Sequence, residues 1–211
     1  MLKSAKSEFY NHARSGGIET GKNIILNSMK YIKTDQIKID FMYYVWLFFL
    51  IAVFGWIWEG FLYLFKDDTY VNRGFLTGPW LPIYGMGAVM LELLFHKWRD
   101  RPIMIFVSSM LICTLLEYFA GWYLELTWGV KWWDYSGMPL NIHGRICFLS
   151  SLLFGMGGML LVWVISPLFY SLYCKIPVRV RTGLGIAVIV VFMADASYSA
   201  IMPRHGAGIT Y

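Results

Sequence analysis

With 211 residues, 58% of them hydrophobic, and a mean hydropathy of +0.54, the chain is more apolar than a soluble domain, which is usually ~45–50% apolar. Its apolar runs are continuous and do not alternate in ~10-residue strands, which excludes a β-barrel. The net charge of +5 falls between the runs, so it points to a membrane surface and not to nucleic acid.

The chain reads as an all-α polytopic membrane protein with five spans, at about 42–65, 79–95, 102–126, 144–166 and 183–202. Each approaches or exceeds the ~20 apolar residues a membrane helix needs, except the short second one. Residues 1–41 form a basic leader in which Ile18, Ile25, Met29 and Ile32 recur at helical spacing among Lys22, Lys30 and Lys33. That pattern predicts an amphipathic helix on an anionic membrane surface. No cleavable signal precedes the first apolar run, so the first span is expected to be retained. GGIETGKN (16–23) nearly matches a phosphate-binding loop, but Asn23 stands where the Mg²⁺-binding hydroxyl belongs and no strand precedes it.

Segments 1–41, 96–101 and 167–182 carry seven, three and three Lys/Arg. The alternate segments 66–78, 127–143 and 203–211 carry two, one and one, with Arg145 at the start of the fourth span. Positive residues stay inside, which predicts a cytoplasmic N-terminus and an outer C-terminal tail, 203–211, in a cell (inner) membrane.

GWIWE (55–59), NRG (72–74) and YGMG (84–87) are followed in the same order by GWYLE (121–125), NIHGR (141–145) and FGMG (154–157). Three matches in order predict a duplicated hairpin, about 42–95 and 102–166, with the fifth helix added. Two spans per unit make this a parallel repeat. By motif Glu59 corresponds to Glu125; by depth in its span it corresponds to Glu117.

Carboxylates in a bilayer are costly unless paired or neutralised, and they mark functional sites. Glu59, Glu117 and Glu125, with Asn72, Arg73, Asp134, Asn141 and Arg145 from the outer loops, are expected to build an outward-facing polar cup. Asp195, about mid-span in the fifth helix, would complete it from below. Glu92, near the inner end of span two, reads as an interfacial residue. GMGAVM and GMGGML read as small-residue faces for close helix packing. In WWDYSGMPLNIHGR (132–145), the aromatic residues predict either a belt at the headgroups or a lid over the cup. Gly78, Pro79 and Pro82 should break the corresponding segment of the first hairpin.

Cys113, Cys147 and Cys174 are isolated and suggest neither a disulfide framework nor a metal site. With no HExxH, no GxSxG and no His/Cys cluster, no catalytic residue, metal or cofactor is expected.

The set GWxxE, NRGFLxGPWLPIYGMG, EYxxGWxLE and WWDYSxxPxNIxGRICFxxSxxFG resembles the bacterial family of ABC-transporter permeases of the CmpB type, over about residues 43–160. Asp195 also fits that family. The resemblance implies a multi-spanning membrane protein and, since the chain has no ATPase domain, an ATPase acting as a separate subunit. Three functions are compatible with the residues. The first is a transporter permease or solute-binding component in which the four carboxylates take a cation or proton and Arg73 and Arg145 an anionic group. The second is a membrane enzyme acting on a lipid-linked substrate at the outer leaflet. The third is a structural or partner subunit, for which assembly as a homo-oligomer would use the small-residue faces.

Overall fold

The computed structural model describes residues 40–67, 72, 74–129 and 131–202. The predicted leader helix, the 16–23 loop, Arg73 and the outer tail lie outside the described residues. The elements are α1 (Phe41–Asp67), α2 (Pro82–Phe95), α3 (Pro102–Trp128), α4 (Phe148–Leu160), α5 (Ser166–Tyr173) and α6 (Val178–Ile201), with a π-helical stretch, Leu161–Ile165, joining α4 to α5. Four rods, Phe41–Leu62, Pro102–Trp128, Phe148–Tyr173 and Val178–Ile201, are long and apolar enough to cross a bilayer. An all-helical membrane protein is therefore what the sequence encodes.

Local chemistry sets the helix ends. The Asp40 carboxylate caps α1 by accepting from the Tyr43 N–H at 2.9 Å. Pro82 and Pro102 open α2 and α3, where the missing proline N–H costs nothing. Gly129, at φ 71°, closes α3 in the left-handed region by donating to the Glu125 carbonyl. Cys147 and Ser150 cap α4 reciprocally, each side chain accepting from the other's backbone N–H.

Three boundaries differ from expectation. The second span is not a full one: α2 has 14 residues, about 21 Å at 1.5 Å per residue. Residues 74–81 before it are non-helical, and the Leu81 N–H donates to the Ala52 carbonyl of α1 at 3.0 Å. Gly78, Pro79 and Pro82 break the chain as predicted, and irregular backbone is tolerated there because its N–H groups find acceptors on α1 and α6. The fourth rod begins at Phe148, leaving Arg145 in the preceding loop, and ends at Tyr173. The fifth begins at Val178, so Arg179 and Arg181 belong to a helix and only 174–177 connect the last two rods.

The apolar core is Tyr43, Leu47, Ala88, Leu91, Phe95, Ile105, Leu161, Val162 and Tyr173. These come from the start of α1, the end of α2, the start of α3 and the α4–α5 rod, so the core fills the half of the domain that carries Arg99, Arg101, Lys175 and Arg181. The other half, towards the 131–147 loop, is where polar side chains meet. α6 flanks α1: Trp46 donates to the Arg181 carbonyl at 2.9 Å, and Phe192 packs edge-on against Phe48, Phe49 and Trp80. Its remaining surface, including Ile186, Val190 and Met193, is exposed and apolar, as a lipid-facing helix requires.

Glu92 does not extend to the surface. It is 1% exposed and bonded to Arg99 at 2.9 Å. A glutamate one turn from a helix end can extend to the surface, but here its carboxylate turns to Arg99, which also reaches Ser166 and, through it, Tyr43.

A candidate polar site at the loop end of the bundle

The carboxylates predicted to share one cup are held by different partners. Glu59 of α1 accepts from the Tyr84 hydroxyl of α2 at 2.9 Å. Glu117 of α3, 7% exposed, accepts from Tyr135 at 3.0 Å and from Ser150 of α4 at 3.3 Å. Glu59 and Glu117 interact electrostatically, and both act on Tyr84 and Tyr135. Two carboxylates and two phenols thus form one cluster where α1, α2, α3 and α4 meet.

Tyr135 lies in the loop, outside the spans. Burial, and then the nearby Glu117 charge, push its phenol well above the ordinary range. It therefore remains a donor, and its proton points to Glu117.

Glu125 is separate. Arg145 reaches it through Nη2 at 2.8 Å and Nε at 3.1 Å, both on the same carboxylate oxygen. This pair is more open, with side chains 33% and 16% exposed. Asp195 of α6 accepts from the Gly78 N–H at 3.0 Å and from Trp80 Nε1 at 2.8 Å. Nearby, Ser199 accepts from the Thr77 N–H at 3.1 Å. Those contacts tie the broken 74–81 segment to α6 and satisfy backbone donors that no helix uses.

The asparagines shape the loops. Asn72 accepts from Trp56 at 2.6 Å and donates to the Thr77 carbonyl at 3.0 Å. Asn141 donates to the Ser136 and Met138 carbonyls and accepts from the Gly144 N–H. The turn it closes holds Leu140, His143 and Gly144 at φ 53°, 54° and 67°, a region natural only to the glycine. Asp134 accepts from the Ser136 hydroxyl and N–H and faces Lys131 at 3.8 Å. These hydrogen bonds, and then Lys131, hold its carboxyl below the usual range. His143 is paired with Tyr118 at 2.9 Å.

A family model described as "Putative ABC-transporter type IV" matches residues 46–200. The chain belongs to this family. The match to the ABC-transporter type IV model includes every site residue named above, from Glu59 to Asp195, and leaves out the basic leader. No curated protein and no solved structure matches the chain.

Sequence reasoning placed Tyr135 at the headgroups and did not link it, Tyr84 or Ser150 to the carboxylates. Tyr84 and Tyr135 lie within the motifs YGMG and WWDY, but nothing local distinguishes a tyrosine that meets a buried carboxylate from one that anchors at a headgroup.

Proposed function

We propose that the protein is a permease or solute-binding subunit of a transporter, with a polar site at the outer face that takes a cation or a proton. The observation that carries this reading is the Glu59–Tyr84–Glu117–Tyr135 cluster. Two nearby carboxylates in a low-dielectric bundle repel each other unless a cation or proton joins them. Among the described residues, the donors to Glu117 are the hydroxyls of Tyr135 and Ser150, and the guanidinium of Arg145 is spent on Glu125. An anionic substrate is correspondingly less well supported than a cation or proton.

The parallel repeat belongs to this reading. Gly85 of α2 packs on Phe48, and Gly155 of α4 packs on Phe106. Phe48 and Phe106 each stand eleven residues before a glutamate, Glu59 and Glu117. Depth, and not the GWxxE motif, then relates the two hairpins, and the candidate site lies on their pseudo-axis. The basic end faces the cytoplasm of an inner membrane, which puts the 131–147 loop outside. An ATPase subunit would have to dock on the leader and the short turns 96–101 and 174–177.

The Glu125–Arg145 pair favours a second, structural reading at that position. Purified protein in mild detergent, wild type beside Glu59→Gln and Glu117→Gln, should be titrated with monovalent and divalent cations and with acid while heat stability is followed. The reading expects stabilisation by one of these in the wild type and its loss in both variants. Folded variants that respond as the wild type does would leave the cluster a structural contact and sink the proposal.

A further inference from the structure

The cations of the bundle fall into two groups. Lys131 and Arg145, near the 131–147 loop, face Asp134 at 3.8 Å and Glu125 at 2.8 Å. At the opposite end, Arg99 meets Glu92 at 2.9 Å and Arg181 meets Asp40 at 3.1 Å. Lys97, Arg101, Lys175 and Arg179 are exposed at that same end, and none of them has an acidic partner among the described residues. Arg101 at least lies on the Trp98 ring, 4.6 Å from its centroid, with Asp100 beside it in the chain. Lys175 and Arg179 have no such neighbours, and the first turn of α6 contains no acidic residue.

Direction separates Arg179 from Arg181. Two residues apart on a helix, their side chains point about 200° apart. Arg181 turns inwards, where its guanidinium lies over the Tyr173 ring and pairs with Asp40. Arg179 turns outwards, at the head of the face that carries Gly183, Ile186, Val190 and Met193. Those positions recur at helical spacing, and all four are exposed. Gly183 has open space where a side chain would stand, so a shallow slot runs from Arg179 to Ile186. From Arg179 to Met193 the face is about 21 Å long, more than the ~15 Å half-thickness of a hydrocarbon core. An acyl chain can lie along it while its headgroup meets the cations.

We propose that Lys175 and Arg179 hold the phosphate of an anionic phospholipid, one chain of which lies along Gly183, Ile186 and Val190. Basic residues at a membrane surface attract anionic headgroups, and long basic side chains keep their charge at that level while their stems cover apolar surface. A free anion would use the charges and leave the apolar face idle; the lipid uses both. The site is independent of the Glu59–Glu117 cluster and of which end faces the cytoplasm.

The test is heat unfolding of the full chain in mild detergent with added phosphatidylglycerol, phosphatidylcholine or inorganic phosphate. Phosphatidylglycerol alone should raise the midpoint, and equally so in Glu59→Gln/Glu117→Gln. The rise should be lost in Lys175→Gln/Arg179→Gln and reduced in Gly183→Leu, which fills the slot. It should persist in Lys97→Gln/Arg101→Gln, which removes the same charge from the same end. Arg181→Gln should lower the midpoint without lipid and keep the rise. Equal losses in the two charge-matched doubles would mean a diffuse field and overturn the site. A rise unaltered in Gly183→Leu, or matched by inorganic phosphate, overturns the lipid. A wild type indifferent to phosphatidylglycerol leaves the two cations to a protein partner and overturns the proposal.

Discussion

The carboxylates of the bundle are held by phenols, by arginines or by amide and indole N–H groups, and the partner predicts how the residue behaves. Glu125 meets Arg145 in a partly exposed ion pair, which is worth about 1 kcal/mol or less. Arg145→Met and Glu125→Gln should each destabilise the protein by roughly that amount, and the Glu125→Arg/Arg145→Glu exchange should recover part of it. A double-mutant cycle on thermal unfolding reads this directly; no coupling between the two positions would show that the contact is idle. Asp134 offers a pH test. Its carboxyl is held low by Ser136, so its stabilisation of the loop is present above the unfolded value and is lost as pH falls through the lowered native one. The protection factor of the Ser136 amide, which donates to Asp134 at 2.9 Å, should drop with acid in the wild type. In Asp134→Asn it should be lower throughout and nearly independent of pH over that range.

At the level of helices, Gly85 and Gly155 separate two kinds of close packing. An added Cβ at Gly85 would meet the Phe48 carbonyl at 2.7 Å as well as its ring, whereas at Gly155 it would meet only the Phe106 ring, also from 2.7 Å. A ring can rotate away and a helix carbonyl cannot. Gly85→Ala should therefore cost the roughly 1–3 kcal/mol of an overpacked core, and Gly155→Ala clearly less, by unfolding in detergent. Equal losses would mean that the backbone gives as readily as a side chain. The same scale explains what could be read in advance. The long apolar runs, and the break at Gly78, Pro79 and Pro82, are local patterns and were legible. The first turn of α6 was not, because Arg179 and Arg181 read as loop charges. Arg181 can begin a membrane helix because it lies over the Tyr173 ring, 4.2 Å from its centroid, and pairs with Asp40 at 3.1 Å. Neither contact has a local signature. The burial of Glu92 was hidden for the same reason: it depends on Tyr43 and Ser166, which stand 123 residues apart.

In the molecule as a whole, apolar packing and polar contacts are divided between the two halves. The core at the basic end leaves Glu92 enclosed, while the carboxylates near the 131–147 loop are held by phenols, amides and one arginine. If the basic end faces the cytoplasm, the Glu59–Glu117 cluster lies nearer the outside and Glu92 nearer the inside. Between them the helices pack closely, with the Tyr84 ring on Gly55 and Phe48 on Gly85. Orientation is the premise of this arrangement, so it must be measured on its own. Single cysteines at Gly137, which has open space around it, and at exposed Asp100, each in a background with Cys113, Cys147 and Cys174 replaced by serine, report the two ends. A membrane-impermeant maleimide added to intact cells should label Gly137→Cys and reach Asp100→Cys only after permeabilisation. The reverse pattern would turn the acidic cluster towards the cytoplasm. It would leave every hydrogen bond described above unchanged, but a cation or proton would then reach the Glu59–Glu117 cluster from the cytoplasmic side.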